Sequence, residues 1–435
     1  MYLREIETAD RDSLTQLQST RLKHLVERLK NVDTDYWRQK MYGVGDVDSI
    51  EDLEVLPFTD KVEFRDTYPY GMLTVPMIDV VRIHASSGTS GKPTIVAYTA
   101  DDISIFAQVN ARALSAVGAT TEDVVHVAYG YGLFTGGLGL HFGVEMLGAT
   151  AVPASGGNPR FQVNLMSDAG ATGLAATPSF ALILAEIAEE MGMKGSLSLR
   201  WGIHGAEPWS EGLREKLEEA WDSEYDACDI YGLSEIIGPG VAVECRENKG
   251  GMHIFEDHFY PEIVDPETGD RVPEGEAGEL VLTTLTKTAQ PVIRYRTRDI
   301  TRFVDGDCSC GRTSRRIARL QGRADDMLII RGINVYPRTI ETLLMDDGDL
   351  GPNYAIIVDR RNPLPELETR VELADDSLEP LRDEITSRLE SKLRETIRLR
   401  VRVNVGPAGS LPRTEVGKAK RVFERTTDED PLADG

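Results

Sequence analysis

Cysteine is scarce in this chain, four in 435 residues. That is too few for a disulfide framework and predicts a protein of the reducing cytoplasm. Long apolar runs are missing as well. None reaches the roughly 18 residues of a membrane span, and the richest stretch, 130–157, is broken by His141, Glu145 and Pro153. The opening Met1-Tyr2-Leu3-Arg4-Glu5 mixes charge with apolar groups and has no basic-then-apolar leader. Positive charge is in deficit: 48 Lys and Arg stand against 72 Asp and Glu, a formal net charge of −24. Bulk binding to nucleic acid or to an anionic membrane is thereby excluded, since both need a cationic face. Internal repeats and low-complexity tracts are absent. What is present, 41% hydrophobic and 28% charged residues, suffices for sizeable cores, and the length predicts two or three domains. An acidic chain that handles small anions must meet them at local positive sites. Residues 391–425, with ten Lys or Arg against three Glu, are one such place.

Along the chain, Leu14, Leu17, Leu22, Leu25 and Leu29 fall on a helical repeat. From Val80 short β-branched runs alternate with helical segments: strands at 80–83, 94–98, 124–128, 172–176, 199–203 and 227–231, helices at 100–117, 138–147, 179–191 and 210–221. This alternation predicts an α/β body with parallel or mixed sheets flanked by helices. Past Gly278 the chain becomes strand-rich. The polar break Gly322-Arg323-Ala324-Asp325-Asp326 precedes helices at 339–345 and 378–394 and strands at 354–358, 368–373 and 399–405. These predict a second, smaller α+β unit of about 110 residues. The expected division is 1–324 and 325–435, with the acidic end 426–435 frayed.

Between two strands lies Ser86-Ser87-Gly88-Thr89-Ser90-Gly91-Lys92-Pro93. Its glycines bare backbone N–H groups, its hydroxyls add donors and Lys92 adds charge, the set an anion requires. Without the lysine and the paired hydroxyls, such a stretch would read as a plain hairpin turn. A Walker loop it is not. That motif needs Gly at 86 and Ser or Thr at 93, and Pro93-Thr94-Ile95-Val96 cannot open the helix that must follow.

Preceded by Arg82-Ile83-His84-Ala85, this loop resembles the phosphate loop of the adenylate-forming (acyl-CoA synthetase) superfamily, and most resembles its phenylacetate-CoA ligase family. Seven further segments resemble that family in order along the chain: 68–72, 129–137, 204–209 (His-Gly-Ala-Glu-Pro-Trp), 229–235 (Asp-Ile-Tyr-Gly-Leu-Ser-Glu), 256–262, 295–299 and 322–337. The resemblance implies a large N-terminal AMP-binding domain, a small C-terminal lid, and ATP-dependent ligation of an aryl or arylacetic acid, phenylacetate foremost, to coenzyme A. An acyl adenylate would be the intermediate, with AMP and pyrophosphate released. By the same resemblance the 86–92 loop (Ser86, Ser87, Gly88, Thr89, Ser90, Gly91, Lys92) would hold the β/γ-phosphates. Glu235 would carry Mg²⁺, a hard oxygen ligand for a hard cation, and Ser234 would donate near the α-phosphate. The adenine would lie between Tyr231, flanked by Ile230 and Gly232, and Gly205-Ala206-Glu207-Pro208, with Asp229 accepting from its exocyclic amine. Asp299, an acceptor-only carboxylate, would take both ribose hydroxyls, and Arg323 belongs to the same nucleotide site.

Leu411-Pro412-Arg413-Thr414-Glu415-Val416-Gly417-Lys418 resembles the family's C-terminal lysine loop. Lys418 would stabilise charge developing between the carboxylate and the α-phosphate. Asp325 matches the hinge about which the lid rotates between half-reactions. Tyr131, Phe134, Gly136 and Ala206 would line the acid pocket, and the lack of Lys or Arg in their segments suits a neutral aryl portion. Benzoates and other aryl acids also fit that description. An alternative on the same fold is an adenylate-forming enzyme with another acceptor or substrate, as in coenzyme-F390-synthetase-like relatives. The expected partners are small molecules, with a homodimer implied by resemblance.

Cys308-Ser309-Cys310-Gly311-Arg312 is a knuckle-like turn, and Cys245 and His253 lie upstream. Three thiolates and one imidazole would form a closed structural Zn²⁺ site, with His258 as the alternative fourth ligand. These paired cysteines depart from many members of the family. Cys228 is expected in the core and His24 on a helix surface, while His84, His126, His141 and His204 have no clustered partners in sequence.

Overall fold

Strands and helices alternate from Val124 to Leu233 and give five strands of a nine-stranded sheet whose two halves run differently, while Arg82–Ser86 and Thr94–Tyr98 pair as a separate two-stranded sheet. The computed structural model describes residues 1–86, 93–221, 224–324, 326, 328–331, 333–362, 364–414 and 419–432. Across the sheet the order is Phe303–Val304, Arg316–Ile317, Asn248–Ile254, Ile237–Cys245, Asp226–Leu233, Trp201–Gly205, Gly173–Ala176, Val124–Val127 and Thr150–Val152. The last five strands are parallel to one another, whereas the pairings from Asp226–Leu233 back to Phe303–Val304 are antiparallel. The C-terminal ends of the parallel strands therefore open on one edge, where open α/β sheets hold their ligands.

Helices Ala100–Ala116 and Gly136–Leu147 contribute Phe106, Val109, Leu114, Leu140 and Val144 to the core beneath Val241 and Val243. Thr99 and Asp102 form a capping box on the first of them. On the other side stand Pro159–Ala169, Pro178–Glu190 and Glu211–Trp221. The Thr177 hydroxyl accepts the Phe180 N–H and Pro178 opens its helix, the arrangement a helix N-terminus favours. A four-stranded antiparallel sheet of Phe259–Val264, Gly278–Thr284, Tyr295–Thr301 and Gly322–Arg323 completes the body and sets Asp299 opposite Arg323.

The C-terminal unit is a four-stranded sheet, ordered Val401–Gly406, Glu366–Leu373, Leu350–Asp359, Val422–Arg425, with helices Pro337–Met345 and Arg382–Ile397. The break expected after residue 324 falls between strand Gly322–Arg323 and the hairpin Leu328–Ile330/Ile333–Val335. Helix and strand expectations agree with these elements to within one to three residues at most ends. The expected strand at 199–203 is displaced to Trp201–Gly205, because the half-buried Leu199 and exposed Arg200 only lead into the buried run. Helix Pro159–Ala169 and strands Thr150–Val152, Ile237–Cys245 and Phe259–Val264 lie outside the sequence expectations.

Candidate functional site

Four segments meet at the open edge of the sheet: 129–137, 177–179, 205–207 and 231–235, each following a parallel strand. Their close approach depends on glycine at two positions. A Cβ at Gly205 would stand 2.1 Å from the Ile230 carbonyl oxygen, and one at Gly232 would stand 2.7 Å from that of Ile237. Ala206 follows in the left-handed region at φ 70°, so the chain turns sharply where the Gly-Ala-Glu motif leaves its strand.

The Tyr231 hydroxyl donates to Asp299 Oδ2 at 2.6 Å. The Asp299 backbone N–H donates to Thr297 Oγ1 at 3.0 Å, and the Arg323 guanidinium lies 3.8 Å from Oδ1. Tyr231 and Arg323, far apart in sequence, thus converge on the carboxylate of Asp299, a residue only 7% exposed. Asp229 lies deeper. Its backbone N–H donates to Glu244 Oε2 at 2.8 Å, and Arg214 holds both Glu244 oxygens at 2.8 Å. Burial, reinforced by Glu244, pushes the Asp229 carboxyl up to about 6, and the Arg319 Nε stands 3.9 Å from it.

Glu235 is 4% exposed, with the Lys61 ammonium 3.1 Å from Oε1. Beneath it the fully buried Lys287 donates to the carbonyls of Glu235 and Ile236 at 3.1 and 2.9 Å and sits 4.8 Å over the Tyr98 ring. The Tyr98 hydroxyl donates to the Ser234 carbonyl at 3.4 Å, and the His84 ring meets the Tyr98 ring edge-on at 5.6 Å. Burial lowers the Lys287 ammonium to about 8. Sequence reasoning missed both lysines. A single lysine in a polar segment reads as a solvated side chain, and nothing local shows that Asp102 pulls the 288–289 backbone inward through N–H bonds of 2.6 and 2.8 Å. Ser86 Oγ and His84 Nε2 are buried without a hydrogen-bond partner among the described residues. The buried Glu235 carboxylate and this open hydroxyl fit a divalent cation and a phosphate in donor chemistry.

Tyr131 and Phe134 close over Gly136 and Gly137: a Cβ on either glycine would meet the Phe134 ring at 2.5 Å or the Tyr131 ring at 3.0 Å. The Tyr131 hydroxyl is 3.4 Å from His141 Nδ1, and His141 Nε2 is 3.2 Å from Glu145. The Glu207 side chain turns toward Ser179 and the lid, leaving the backbone of 205–208 at the strand end. Ser87, Gly88, Thr89, Ser90, Gly91, Lys92, Asp325 and Lys418 lie outside the described residues.

Cys245, His253, Cys308 and Cys310 place their ligand atoms within 4.8 Å of one another. Cys245 Sγ and Cys308 Sγ are 3.5 Å apart, and Cys310 Sγ is 3.4 Å from His253 Nε2. His253 Nδ1 lies 3.3 Å from Ser314 Oγ, the outer partner that orients a metal-binding imidazole. His258 is engaged elsewhere, with Thr286 at 2.8 Å and Gln108 at 3.1 Å. Of the two histidines the sequence left open, His253 is the one that reaches the sulfurs.

Comparison with known proteins adds the following. The family description "AMP-binding enzyme" matches residues 11–286 and "AMP-binding enzyme C-terminal domain" matches 332–426. The chain is 44% identical to a phenylacetate-coenzyme A ligase of Thermus thermophilus, over 98% of this chain and 99% of that protein. It is 46% identical to one of Escherichia coli, over 96% of each. Among solved structures, 2-hydroxyisobutyryl-CoA ligase in the postadenylation state with R3-HIB-AMP superposes with a TM-score of 0.89 at 26% identity, covering 97% of this chain and 92% of that one. The same ligase with 2-HIB-AMP and CoA in the thioesterification state gives 0.71 at 27% identity, with 97% and 91% covered.

Proposed function

The chain belongs to the phenylacetate-CoA ligase family of AMP-binding enzymes, and on that premise we propose that it joins phenylacetate to coenzyme A at the expense of ATP. The acid's carboxylate attacks the α-phosphate and pyrophosphate leaves; the thiol of CoA then attacks the acyl carbon and AMP leaves. The observation that carries this reading is similarity along nearly the whole chain to curated phenylacetate-CoA ligases. The strand-end site supports it independently. Those relatives favour CoA over the other acceptors the sequence left open.

In this reading Asp299, oriented by the Tyr231 hydroxyl, receives the ribose hydroxyls, with Arg323 beside it. The adenine lies on Tyr231 near Ile230 and Gly232, against the backbone of 205–208. Asp229, held up near 6 and close to Arg319, lines the inner wall. Ser86 and residues 87–92 take the leaving phosphates, Ser234 donates near the α-phosphate, and Lys418 neutralises charge as the carboxylate approaches. Glu235 is the Mg²⁺ ligand, and the metal, when bound, offsets the negative charge of the phosphates. Tyr131, Phe134, Gly136 and Ala206 shape an apolar acid pocket. The lid is residues 325–435, hinged at Asp325, and its resemblance to the postadenylation structure supports an adenylation-side orientation.

The Cys245, His253, Cys308, Cys310 set is a structural Zn²⁺ site, supported by ligand atoms that already converge. The reading also includes a cytoplasmic location, supported by four free cysteines, and a homodimer, checked by light scattering. The deciding experiment is pyrophosphate exchange over a panel of aryl acids, followed by thioester formation on adding CoA. Phenylacetate is expected to give both. Exchange without thioester would sink the CoA assignment, and no exchange with any acid would sink adenylation itself.

A further inference from the structure

One carboxylate of the body holds the lid directly. Glu207 Oε1 accepts the Ser179 hydroxyl at 2.8 Å and the backbone N–H of Ala419 at 2.6 Å, and Oε2 accepts the Ser179 N–H at 3.3 Å. Ser179 lies in the first turn of helix Pro178–Glu190, where exposed N–H groups favour an anion. Ala419 belongs to the lid and follows Lys418 in the chain. Seven residues beyond Ser179, on the same helix face, Glu186 lies 3.3 Å from Arg413 Nε, on the other side of Lys418 in sequence. Beside the two contacts lies a cavity of about 410 Å³, lined by Ser179, Ile183, Tyr354, Pro412, Arg413 and Lys420. Among the described residues of 411–421, polar attachment to the body falls on these two contacts.

Each contact also has a partner on its own side. Released from Ala419, Glu207 keeps both Ser179 bonds; released from Glu186, Arg413 keeps Glu372 of the lid at 2.8 Å. Neither charge is stranded when lid and body part, so separation avoids the cost of an unpaired buried ion.

We propose that Glu207 is a positioning residue of the first half-reaction, a latch that seats the Lys418-bearing loop on the body and releases it for the second. The proposal rests on the adenylation reading and on Lys418 as the acting cation. Glu186 is the auxiliary contact. Glu207 acts through the loop and not on the nucleotide, so its loss lowers the rate of adenylation and leaves the KM for ATP unchanged.

The test uses the full-length protein. In Glu207→Ala, pyrophosphate exchange is expected to fall about 10- to 100-fold in kcat, the worth of a charge-assisted hydrogen bond. The KM for ATP should hold within twofold, and so should thioester formation from synthetic phenylacetyl-AMP and CoA. Glu207→Gln keeps an oxygen acceptor at the Oε1 position and should stay within a few-fold of wild type. Glu186→Ala, at a half-exposed position, should lose a few-fold in exchange alone. Equal losses in both half-reactions, a raised KM for ATP, or full exchange activity in Glu207→Ala would each overturn the latch. A second readout needs no substrate: limited trypsin digestion within 411–421 should be faster in Glu207→Ala and Glu186→Ala than in wild type or Glu207→Gln. Equal digestion rates overturn the latch even if the aryl-acid reading survives, whereas absent exchange in wild type overturns that reading and leaves digestion to decide the latch.

Discussion

Asp299 shows how one residue can be legible in sequence while its setting is not. Its motif marks it as a ribose ligand by resemblance, yet the Tyr231 hydroxyl at 2.6 Å and the register that sets it opposite Arg323 come only from tertiary pairing. If Asp299 holds the ribose, Asp299→Ala should raise the KM for ATP roughly 10- to 100-fold and Tyr231→Phe only a few-fold, since charged hydrogen bonds contribute more than neutral ones; steady-state kinetics at varied ATP check both. His204 carries a different prediction. Buried, with Nδ1 3.0 Å from the Ala176 carbonyl and Nε2 2.9 Å from the Tyr225 hydroxyl, it has its pKa lowered to about 4 by desolvation. The unfolded chain binds a proton there near pH 6.5, which the folded chain refuses until about 4. Stability from this group is thus whole above pH 6.5 and is lost as pH falls toward 4, at about 1.4 kcal/mol per pH unit. Denaturant melts from pH 7 to 4.5 should show that slope, and His204→Leu should be flatter over the same interval; parallel slopes would refute the assignment.

Among elements, the cysteine cluster divides what sequence can specify from what it cannot. The Cys-x-Cys turn at 308–310 is local and readable. Its junction with Cys245 and His253 needs the hairpin Ile237–Cys245/Asn248–Ile254 and the pairing of Arg316 with His253, a contact across 63 residues. His258 escapes the cluster because it lies beyond that hairpin, in the turn before strand Phe259–Val264. Helix Pro159–Ala169 was illegible for another reason: it is short, and its buried Val163 and Met166 give too few repeats to stand out from a loop. The strands bearing the Gly-Ala-Glu and Tyr-Gly-Leu-Ser-Glu motifs are readable, the first to within two residues, because Ile203 and Ile230 stand in short apolar stretches that run into the motif glycines. From the convergence of ligand atoms we expect about one Zn²⁺ per chain by elemental analysis, absent in a Cys308→Ser/Cys310→Ser double mutant. The body has its own large core, so the mutant should fold with Tm lowered by a few degrees, consistent with the loss of roughly 1–3 kcal/mol. Native protein free of metal would end this claim.

At the scale of the whole molecule, the body's helices and the lid share one apolar cluster that includes Leu213 and Leu217 on one side and Leu344, Leu350 and Ile356 on the other. On the proposed reading the same side chains serve both half-reactions, so the sequence does not encode one pose of the two domains. What it does contain is the residue that lets this pose form. Gly212 lies in helix Glu211–Trp221, and a Cβ there would stand 2.5 Å from the Met345 carbonyl oxygen and 3.0 Å from the Asp346 nitrogen. Those are backbone atoms at the end of lid helix Pro337–Met345 and cannot swing aside. Lys216, one turn on, donates to the Leu350 carbonyl at 2.6 Å, so the contact continues along the helix. Gly212→Ala should therefore separate local from global effects. Within the helix alanine is favoured over glycine by about 0.8–1 kcal/mol, so the body should not be destabilised, while the lid is pushed off its seat against this helix. Pyrophosphate exchange should drop about 10-fold or more, the cost of displacing packed backbone being a few kcal/mol, and thioester formation from preformed acyl adenylate should be spared or faster. Small-angle scattering of the ligand-free variant should show a larger radius of gyration than wild type. Unchanged exchange together with unchanged scattering would mean that the lid accommodates a methyl group at this seat, and that Gly212 does not set the pose.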